Sequence, residues 1–286
     1  MNSISLVLAT VNRTLEVGRF VRSLVAQSAS TFELIIVDQN KDDRLLPYIK
    51  DGRNLGLQIK HLRLEQPSLS GARNLGLQHA SGSIVAFPDD DCWYEYDVVE
   101  KSCAAFAAAD TTGGIIGCWV EQATARQEYQ PATAISYEAW RNFRGGDASS
   151  ISLFLKRDLF MSLGGFDERF GVGQWFGAAE ETDLVLRALV RGATLVRNPT
   201  IRVHHHFLST PLARTAADYR SARSRARGTG GIYAKHHLGL WIVLRGILAP
   251  IFKPLMRGHI ASAGQGAFVS LGRAEGFFHW KRTHSK

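Results

Sequence analysis

The sequence has few of the features that mark a secreted, disulfide-stapled or membrane-spanning protein. Its three cysteines, Cys92, Cys103 and Cys118, have no CxxC spacing, which excludes a disulfide framework and favours a reducing compartment. No charged segment followed by an apolar stretch and a cleavage site opens the chain, so no signal peptide is expected. The apolar run at 4–11 is too short to span a bilayer. We therefore expect a cytoplasmic protein.

Two nucleotide-binding signatures are also missing. No GxGxxG motif follows the first predicted strand, which excludes the dinucleotide-binding fingerprint, and no P-loop motif is present. A nucleotide bound by this chain would therefore be contacted by side chains and a metal ion rather than by a glycine-rich loop.

The positive charge of the chain is concentrated in its last third. Residues 202–286 contain 14 lysines and arginines against 2 acidic residues, whereas residues 1–201 contain 20 against 24. A basic surface of this kind fits an anionic membrane, a phosphorylated ligand or nucleic acid. No nucleic-acid-binding motif accompanies it, so we expect no nucleic acid partner and favour the first two.

Short apolar runs alternate with helical patterns in the first half of the chain. Strands are predicted at 4–10, 32–37, 57–62 and 83–87, and helices lie between them. This alternation is typical of right-handed βαβ units and a mostly parallel, Rossmann-like α/β sheet flanked by helices. The composition changes after residue 206, which we take as the end of the sheet domain. A helical, basic appendage is expected beyond it.

Three consecutive carboxylates follow the fourth predicted strand. Asp89, Asp90 and Asp91 come directly after the apolar residues 84–87, and unpaired charges do not remain in a buried strand. They should therefore lie at the edge of the sheet, where open α/β sheets bind ligands. Carboxylate oxygens there suit Mg²⁺ or Mn²⁺. The alternative is a helix start with acidic residues in its first turn.

Polar residues also follow the first two strands. Thr10, Asn12 and Arg13 come after the first and Asp38 after the second, so a parallel sheet places them at the same edge as the three acids. Arg73 begins the helix before the acidic strand and could bind a phosphate. The alternatives are helix capping for the polar residues, and for Arg73 a solvated side chain or a pair with a nearby aspartate.

Two further groups complete the candidate residues. Glu180 and Glu181 begin a predicted helix, where a carboxylate is stabilised by the helix dipole or could serve as a general base. A run of three histidines occupies 204–206. Such a run is usually a surface feature, but one imidazole could complete a metal site with Asp91.

The order of these motifs resembles that of the family 2 glycosyltransferases with the GT-A fold. The motifs are ATVNR at a strand end, IIVDQN, GARNLGL, a strand running into FPDDD, a GGFDE turn, an EETDL helix and then a histidine. The resemblance covers roughly residues 4–206. It implies an inverting transfer from a nucleotide-sugar donor with a divalent cation as cofactor. The QxxRW pattern of processive synthases is absent, which favours addition of one sugar per encounter.

The resemblance also implies a role for each residue of the donor site. Five side chains would contact the nucleotide-sugar, with Asp38 reading the nucleobase: Thr10, Asn12, Arg13, Asp38 and Arg73. Asp89 and Asp91 match the DxD motif, and Asp91 would bind the metal most directly. Asp90 is placed with the donor-binding residues, although it should point away from its two neighbours. His204 is our choice as the third metal ligand.

The catalytic pair departs from the family pattern in one position. Glu180 and Glu181 match a Glu-Asp pair whose second acid is the base, so Glu181 is the expected base despite its longer side chain. Residues 1–206 would form the catalytic domain, with donor binding in 1–120 and the acceptor side in 121–206. The expected acceptor is a saccharide or a lipid-linked saccharide used in cell-surface polysaccharide biosynthesis.

The C-terminal region 207–286 contains an apolar segment at 238–256 that is interrupted by prolines and charges. This pattern favours an interfacial segment at the membrane surface over a spanning helix. The alternative is a helix packed on the catalytic domain. One alternative function is a nucleotide-sugar-binding protein without catalysis. A second is a sugar-phosphate nucleotidyltransferase, but it should carry a glycine-rich, basic first loop, which residues 10–13 do not supply.

Overall fold

The computed structural model describes residues 2–120, 131–143, 148–205 and 215–284. These residues contain one sheet with the strand order β3-β2-β1-β4-β8-β6-β9-β5, and β7 pairs with β9. The strands are β1 Ile4–Thr10, β2 Phe32–Asp38, β3 Ile59–Arg63, β4 Ile84–Ala86, β5 Cys92–Tyr94, β6 Thr112–Val120, β7 Thr133–Ala134, β8 Leu153–Lys156 and β9 Thr194–His205.

Helices lie between and after these strands. Their bounds are α1 Leu15–Val25, α2 Leu46–Asn54, α3 Leu69–Gln78, α4 Val98–Ala108, α5 Tyr137–Arg141, α6 Arg157–Ser162, α7 Glu180–Val190, α8 Ala216–Lys235, α9 Leu240–Met256 and α10 Ile260–His284. A short 3-10 helix occupies Ser150–Ser152 just before β8. Strand β8 begins at Leu153, directly after this helix.

The first four strands of the sheet run parallel, as the sequence predicts. β1 pairs in parallel with both β2 and β4, and β2 pairs in parallel with β3. Every residue of β1 is buried, because helices cover both faces of the sheet. Leu6 and Leu8 pack with α1, whereas Val7 packs on the side of α3, in keeping with the two-residue period of a strand.

The second half of the sheet adds antiparallel strands. β8 is antiparallel to both β4 and β6, and β5 is antiparallel to β9. The pairing of β5 with β9 brings residues 92–94, which follow the acidic segment, next to residues 203–205. Two parts of the chain more than a hundred residues apart therefore meet at the edge where the acids lie.

The described part of the C-terminal region, residues 215–284, contains helices α8, α9 and α10 and packs on the sheet domain. Ile232 of α8 and Trp280 of α10 belong to the same apolar core as β1 and α7. Gly228 lies against the backbone of Ala178, so α8 supports the start of α7. Residue 206, where the sequence places the domain boundary, lies outside the described residues.

No helix in the described residues is both long and apolar enough to cross a membrane. Helix α9, which contains the segment expected at the membrane surface, continues through Pro250 and Pro254.

Helices α8 and α10 approach each other through glycines. A Cβ atom at Gly276 would lie 2.0 Å from the carbonyl oxygen of Arg227, and one at Gly272 would lie 2.3 Å from that of Arg223. Gly264, on the same helix α10, has no atom within 4 Å of its Cβ position. The two helices can therefore pack at this distance only where the side chain is a hydrogen atom.

We expect Gly276→Ala to destabilise the protein, because the added methyl group overlaps backbone of the facing helix, at a cost of about 1–3 kcal/mol. Gly264→Ala should be neutral or stabilising by up to about 1 kcal/mol, because alanine has the higher helix propensity. Thermal unfolding of the two variants measures the difference. Equal unfolding temperatures would contradict the close helix contact.

Candidate active site at the carboxyl edge of the sheet

The carboxyl ends of the parallel strands bring the predicted polar residues to one edge of the sheet. Thr10 and Asp38 are paired in register at the ends of β1 and β2. Thr10 Oγ1 donates a hydrogen bond to Asp90 Oδ2 at 2.7 Å, so the acidic segment after β4 lies directly beside the end of β1. The sequence placed these residues together from strand order alone, and they do lie together.

Asp91 has the most charged surroundings of the three acids. Its Oδ1 lies 2.9 Å from Nε2 of His205 and its Oδ2 lies 3.2 Å from Nη2 of Arg13. The hydrogen bond from His205 lowers the pKa of Asp91. Ligand atoms of Asp89, Asp91 and His205 all lie within 4.8 Å of one another. Two carboxylates and an imidazole at this spacing can bind one divalent cation.

The histidine in this cluster is His205. His204, which we predicted as the third metal ligand, is not part of the cluster. His204 is buried, its Nε2 lies 3.0 Å from Oε1 of Glu95, and its ring stacks on Trp93 at 5.2 Å. Neighbouring residues of a strand point to opposite sides, so only one of the two can face Asp91. The pairing of Cys92 with His205 decides which one. His206 lies outside the described residues.

The sequence suggests that Arg73 could bind a phosphate at the edge of the sheet, but the structure buries its side chain among protein groups. Its side chain is 1% exposed. Nη2 donates to Asp89 Oδ1 at 2.9 Å and to Ser150 Oγ at 2.6 Å, and Nη1 donates to Glu180 Oε1 at 3.1 Å. The alternative, an arginine paired with a nearby aspartate, is what the structure contains. The guanidinium group joins the acidic segment after β4 to the start of α7.

Glu180 and Glu181 have different environments although they are adjacent. The side chain of Glu180 is 5% exposed and pairs with Arg73. Glu181 Oε1 accepts a hydrogen bond from the backbone N–H of Ser150 at 3.3 Å and lies 3.9 Å from Arg73. Burial raises the pKa of Glu181 to about 7, and the charge of Glu180 adds to this effect while Arg73 opposes it.

Glu181 faces an open space, whereas Glu180 does not line it. Glu181 lines a cleft of about 700 Å³ between the start of α7, α8 and α10. A carboxyl group with a pKa near neutrality can both release and accept a proton in the physiological range. Of the two glutamates, only Glu181 lines a space that a bound molecule could enter.

Asp89 and Asp90 are both harder to ionise than a free aspartate. Burial raises the pKa of Asp89, although the charge of Arg73 opposes the shift. Burial raises the pKa of Asp90 to about 6, and the hydrogen bond from Thr10 opposes that shift. Asp90 contacts Thr10 and Arg13 rather than Arg73, so its carboxylate is separated from that of Asp89, but it shares Arg13 with Asp91.

The remaining donor-site candidates lie at the edge as well. Asn12 has a positive φ of 60°, and its backbone N–H donates to Asn40 Oδ1 at 2.7 Å. Asp38 is fully buried and accepts hydrogen bonds from both nitrogens of Asn40, and its Oδ2 lies 3.0 Å from Nε2 of His61. Its carboxylate thus has partners within the chain, and a role in reading a nucleobase stays a prediction.

Sequence reasoning did not identify Ser150. This residue contacts Asp89 and Arg73 through its hydroxyl and Glu181 through its backbone N–H. The segment 150–155 has the apolar composition of a strand, and a serine within it carries no functional signal. Only the 3-10 helix before β8 turns Ser150 toward the acids.

Comparisons with known proteins agree with this architecture. The model of glycosyl transferase family 2 matches residues 5–162. The glucosyl-dolichyl phosphate glucuronosyltransferase of Haloferax volcanii is 26% identical over 200 residues, which are 65% of this chain and 62% of that protein. The chain spans less than two thirds of the length of the curated relatives it matches.

Two solved structures share the fold. Mannosyltransferase PcManGT from Pyrobaculum calidifontis, in complex with GDP-Man and Mn²⁺, has a TM-score of 0.69 at 14% identity and covers 97% of this chain and 88% of its own. S. aureus TarS 1–349, in complex with UDP-GlcNAc, has a TM-score of 0.62 at 14% identity and covers 93% and 90%. Both are GT-A proteins, so the predicted GT-A fold is confirmed.

We expect Arg73→Met to cost about 3–5 kcal/mol of stability, because it leaves buried carboxylates without their cation. Arg13→Met is the matched control: Arg13 also pairs with the acidic segment, but its side chain is 43% exposed, and exposed pairs contribute about 1 kcal/mol or less. Denaturant unfolding of the two variants gives both values. Similar small losses would show that Arg73 does not hold the acids together.

Proposed function

This chain belongs to glycosyl transferase family 2, and from that membership we propose that it transfers a sugar from a nucleotide-diphosphate sugar to a hydroxyl group of a saccharide or lipid-linked saccharide. The transfer inverts the anomeric centre and serves cell-surface polysaccharide biosynthesis. One observation carries the proposal: Arg73 bonds Asp89 of the acidic cluster on one side and lies beside Glu181 on the other. Donor-binding and proton-accepting groups are thereby held in one site.

The donor side would contain a divalent cation held by Asp89, Asp91 and His205. The donor set fits such an ion, because carboxylate oxygens and an imidazole nitrogen from three residues converge within 4.8 Å. When bound, the cation supplies positive charge against the leaving nucleoside diphosphate. The complexes of PcManGT with GDP-Man and Mn²⁺ and of TarS with UDP-GlcNAc support a donor of this class.

Arg13 would add a second positive group on the donor side. Its side chain is 43% exposed and lies 3.2 Å from Asp91, so it can turn from the carboxylate to a phosphate oxygen. Arg73 cannot do this, because its guanidinium group is buried and bonded to Asp89, Ser150 and Glu180. We therefore assign the proposed contact with the phosphate groups of the nucleotide to Arg13 and not to Arg73.

Glu181 would take the proton of the acceptor hydroxyl. The Ser150 N–H and the nearby Arg73 fix the position of its carboxylate, and the cleft beside it leaves room for an acceptor. A base on the side of the sugar opposite the leaving group gives direct displacement, which inverts the anomeric centre. Glu180, bonded to Arg73, positions its neighbour rather than contacting substrate.

Glu181→Gln tests this assignment, because glutamine keeps the shape of the side chain and cannot accept the proton. We expect turnover to fall by about a hundredfold or more, while thermal stabilisation by nucleoside diphosphates with Mn²⁺ is retained. Asp91→Asn should reduce both turnover and the metal-dependent stabilisation. Glu168→Gln is the control, since Glu168 is an exposed glutamate that contacts Asn74.

Near-normal transfer by Glu181→Gln would remove Glu181 as the base. Nucleotide and metal binding by the wild-type protein without transfer or donor hydrolysis would instead favour the non-catalytic alternative. A panel of uridine and guanosine diphosphates and their sugars, each with and without Mn²⁺, decides between these outcomes. No metal-dependent stabilisation by any of them would contradict the proposed donor class.

We also propose that α9 contacts the surface of an anionic membrane. Its large exposed apolar side chains recur at three- and four-residue spacing, which places them on one side of the helix. They are Leu240, Trp241, Leu244, Leu248, Phe252, Leu255 and Met256. Ile242 and Val243, on the other side, are buried against the protein. The basic composition of residues 202–286 suits anionic headgroups.

Leu248→Glu and Phe252→Glu should each reduce sedimentation with phosphatidylglycerol–phosphatidylcholine vesicles, because a carboxylate opposes both burial of the helix face and attraction to the anionic surface. Leu55→Glu is the matched control, since it adds the same charge at an exposed leucine outside α9. Unchanged sedimentation of the two α9 variants would count against this contact.

A further inference from the structure

The cleft beside Glu181 contains basic side chains that the transfer step described above does not use. Its volume is about 700 Å³. The α8 residues that line it recur at three- and four-residue spacing, which corresponds to one side of the helix. They are Asp218, Ser221, Ala222, Arg225, Ala226 and Thr229. Arg273 and Gln265 of α10 face the same space.

Arg225 differs from the other arginines near it. Arg223 and Arg227 both bond Glu275, with Nε–Oε2 distances of 3.0 and 2.9 Å. Arg225 is exposed, and within the described parts of the chain it has no ion pair or hydrogen bond. Glu275 therefore pairs with both arginines on the side of α8 that faces α10, whereas Arg225 keeps its charge in the cleft without a partner among the described residues.

Arg273 adds a second guanidinium group with unused capacity. One of its terminal nitrogens donates to the carbonyl of Gly246. Its Nε is buried and has no hydrogen-bond partner among the described atoms. A buried donor without a partner carries an energetic cost, so this guanidinium group is not fully satisfied by the protein, and Arg273 lines the cleft.

Residues 202–286 contain two acids, Asp218 and Glu275. Glu275 is engaged by two arginines, and Asp218 Oδ2 accepts hydrogen bonds from the N–H and hydroxyl of Thr215 at the start of α8. Asp218 also lines the cleft, which therefore combines two carboxylates, Glu181 and Asp218, with the guanidinium groups of Arg225 and Arg273 on the facing helices.

We propose that the cleft binds an acceptor that carries a phosphate ester, held by Arg225 and Arg273, with one of its hydroxyl groups directed to Glu181. The guanidinium fork matches the oxygens of a phosphate, and the Thr229 hydroxyl and Gln265 amide can bond further oxygens. The acceptor class is therefore a phosphorylated polyol or saccharide. This inference rests on the proposed transfer reaction, because it assigns the cleft to the acceptor.

The test uses sn-glycerol 3-phosphate as a minimal polyol phosphate and glycerol as its uncharged counterpart, on the full chain without donor or metal and at constant ionic strength. We expect the phosphate to raise the unfolding temperature in a saturable manner and glycerol to have no such effect. Arg225→Gln should weaken the apparent affinity about tenfold, the change expected when one charge-assisted contact is lost.

Arg220→Gln is the matched control. Arg220 is also exposed on α8 and has no pairing within the described residues, but it does not line the cleft. The Arg220→Gln variant should bind glycerol phosphate with the affinity of the wild-type protein. Equal losses in the two variants, or wild-type affinity in Arg225→Gln, would overturn the site, because the binding would then not depend on the cleft. Arg273→Gln, if it folds, should repeat the loss.

Two further measurements distinguish phosphate binding in the cleft from binding in the donor site, and from the proposed transfer reaction. Saturating UDP or GDP with Mn²⁺ should leave glycerol phosphate binding intact, and loss of binding would place the phosphate in the donor site instead. Glu181→Gln should keep phosphate binding while losing transfer. If no nucleotide binds but the phosphate still does, the proposed function fails and the anion site stands.

Discussion

The buried guanidinium group of Arg73 holds together carboxylates from two distant parts of the chain. Asp89 comes from the segment after β4, and Glu180 and Glu181 begin α7. Carboxylates this close repel one another and lose solvation, so their common cation is what makes the arrangement stable. The same contact fixes the distance between the proposed donor side and the proposed base.

The sheet and the C-terminal helices supply the surroundings that this interaction needs. Parallel strands β1, β2 and β4 end at one edge, and the pairing of β5 with β9 adds His205 there. On the other side, Gly228 of α8 lies against Ala178, directly before α7. The basic appendage is therefore part of the cleft in which Glu181 lies, and its arginines face the space that an acceptor would occupy.

Much of this arrangement could be predicted before the structure. The alternation of strands and helices predicts the parallel sheet, and the position of the three aspartates after an apolar run predicts that they lie at its edge. The choice of histidine could not be made in this way. His204 and His205 have the same chemistry, and only the register of β5 against β9 determines which one faces Asp91. For Ser150 the sequence offered no signal.

The sequence by itself determined the fold class and the family, because both depend on ordered local patterns: apolar periodicity, strand-end acids and motif spacing. Tertiary structure decided the partners of each charge. Arg73 is buried and pairs with Asp89 rather than binding a phosphate. Arg223 and Arg227 pair with Glu275, whereas Arg225 has no such partner among the described residues. The reason is physical: burial and pairing depend on which distant segments approach within a few ångströms, and no local pattern encodes that distance.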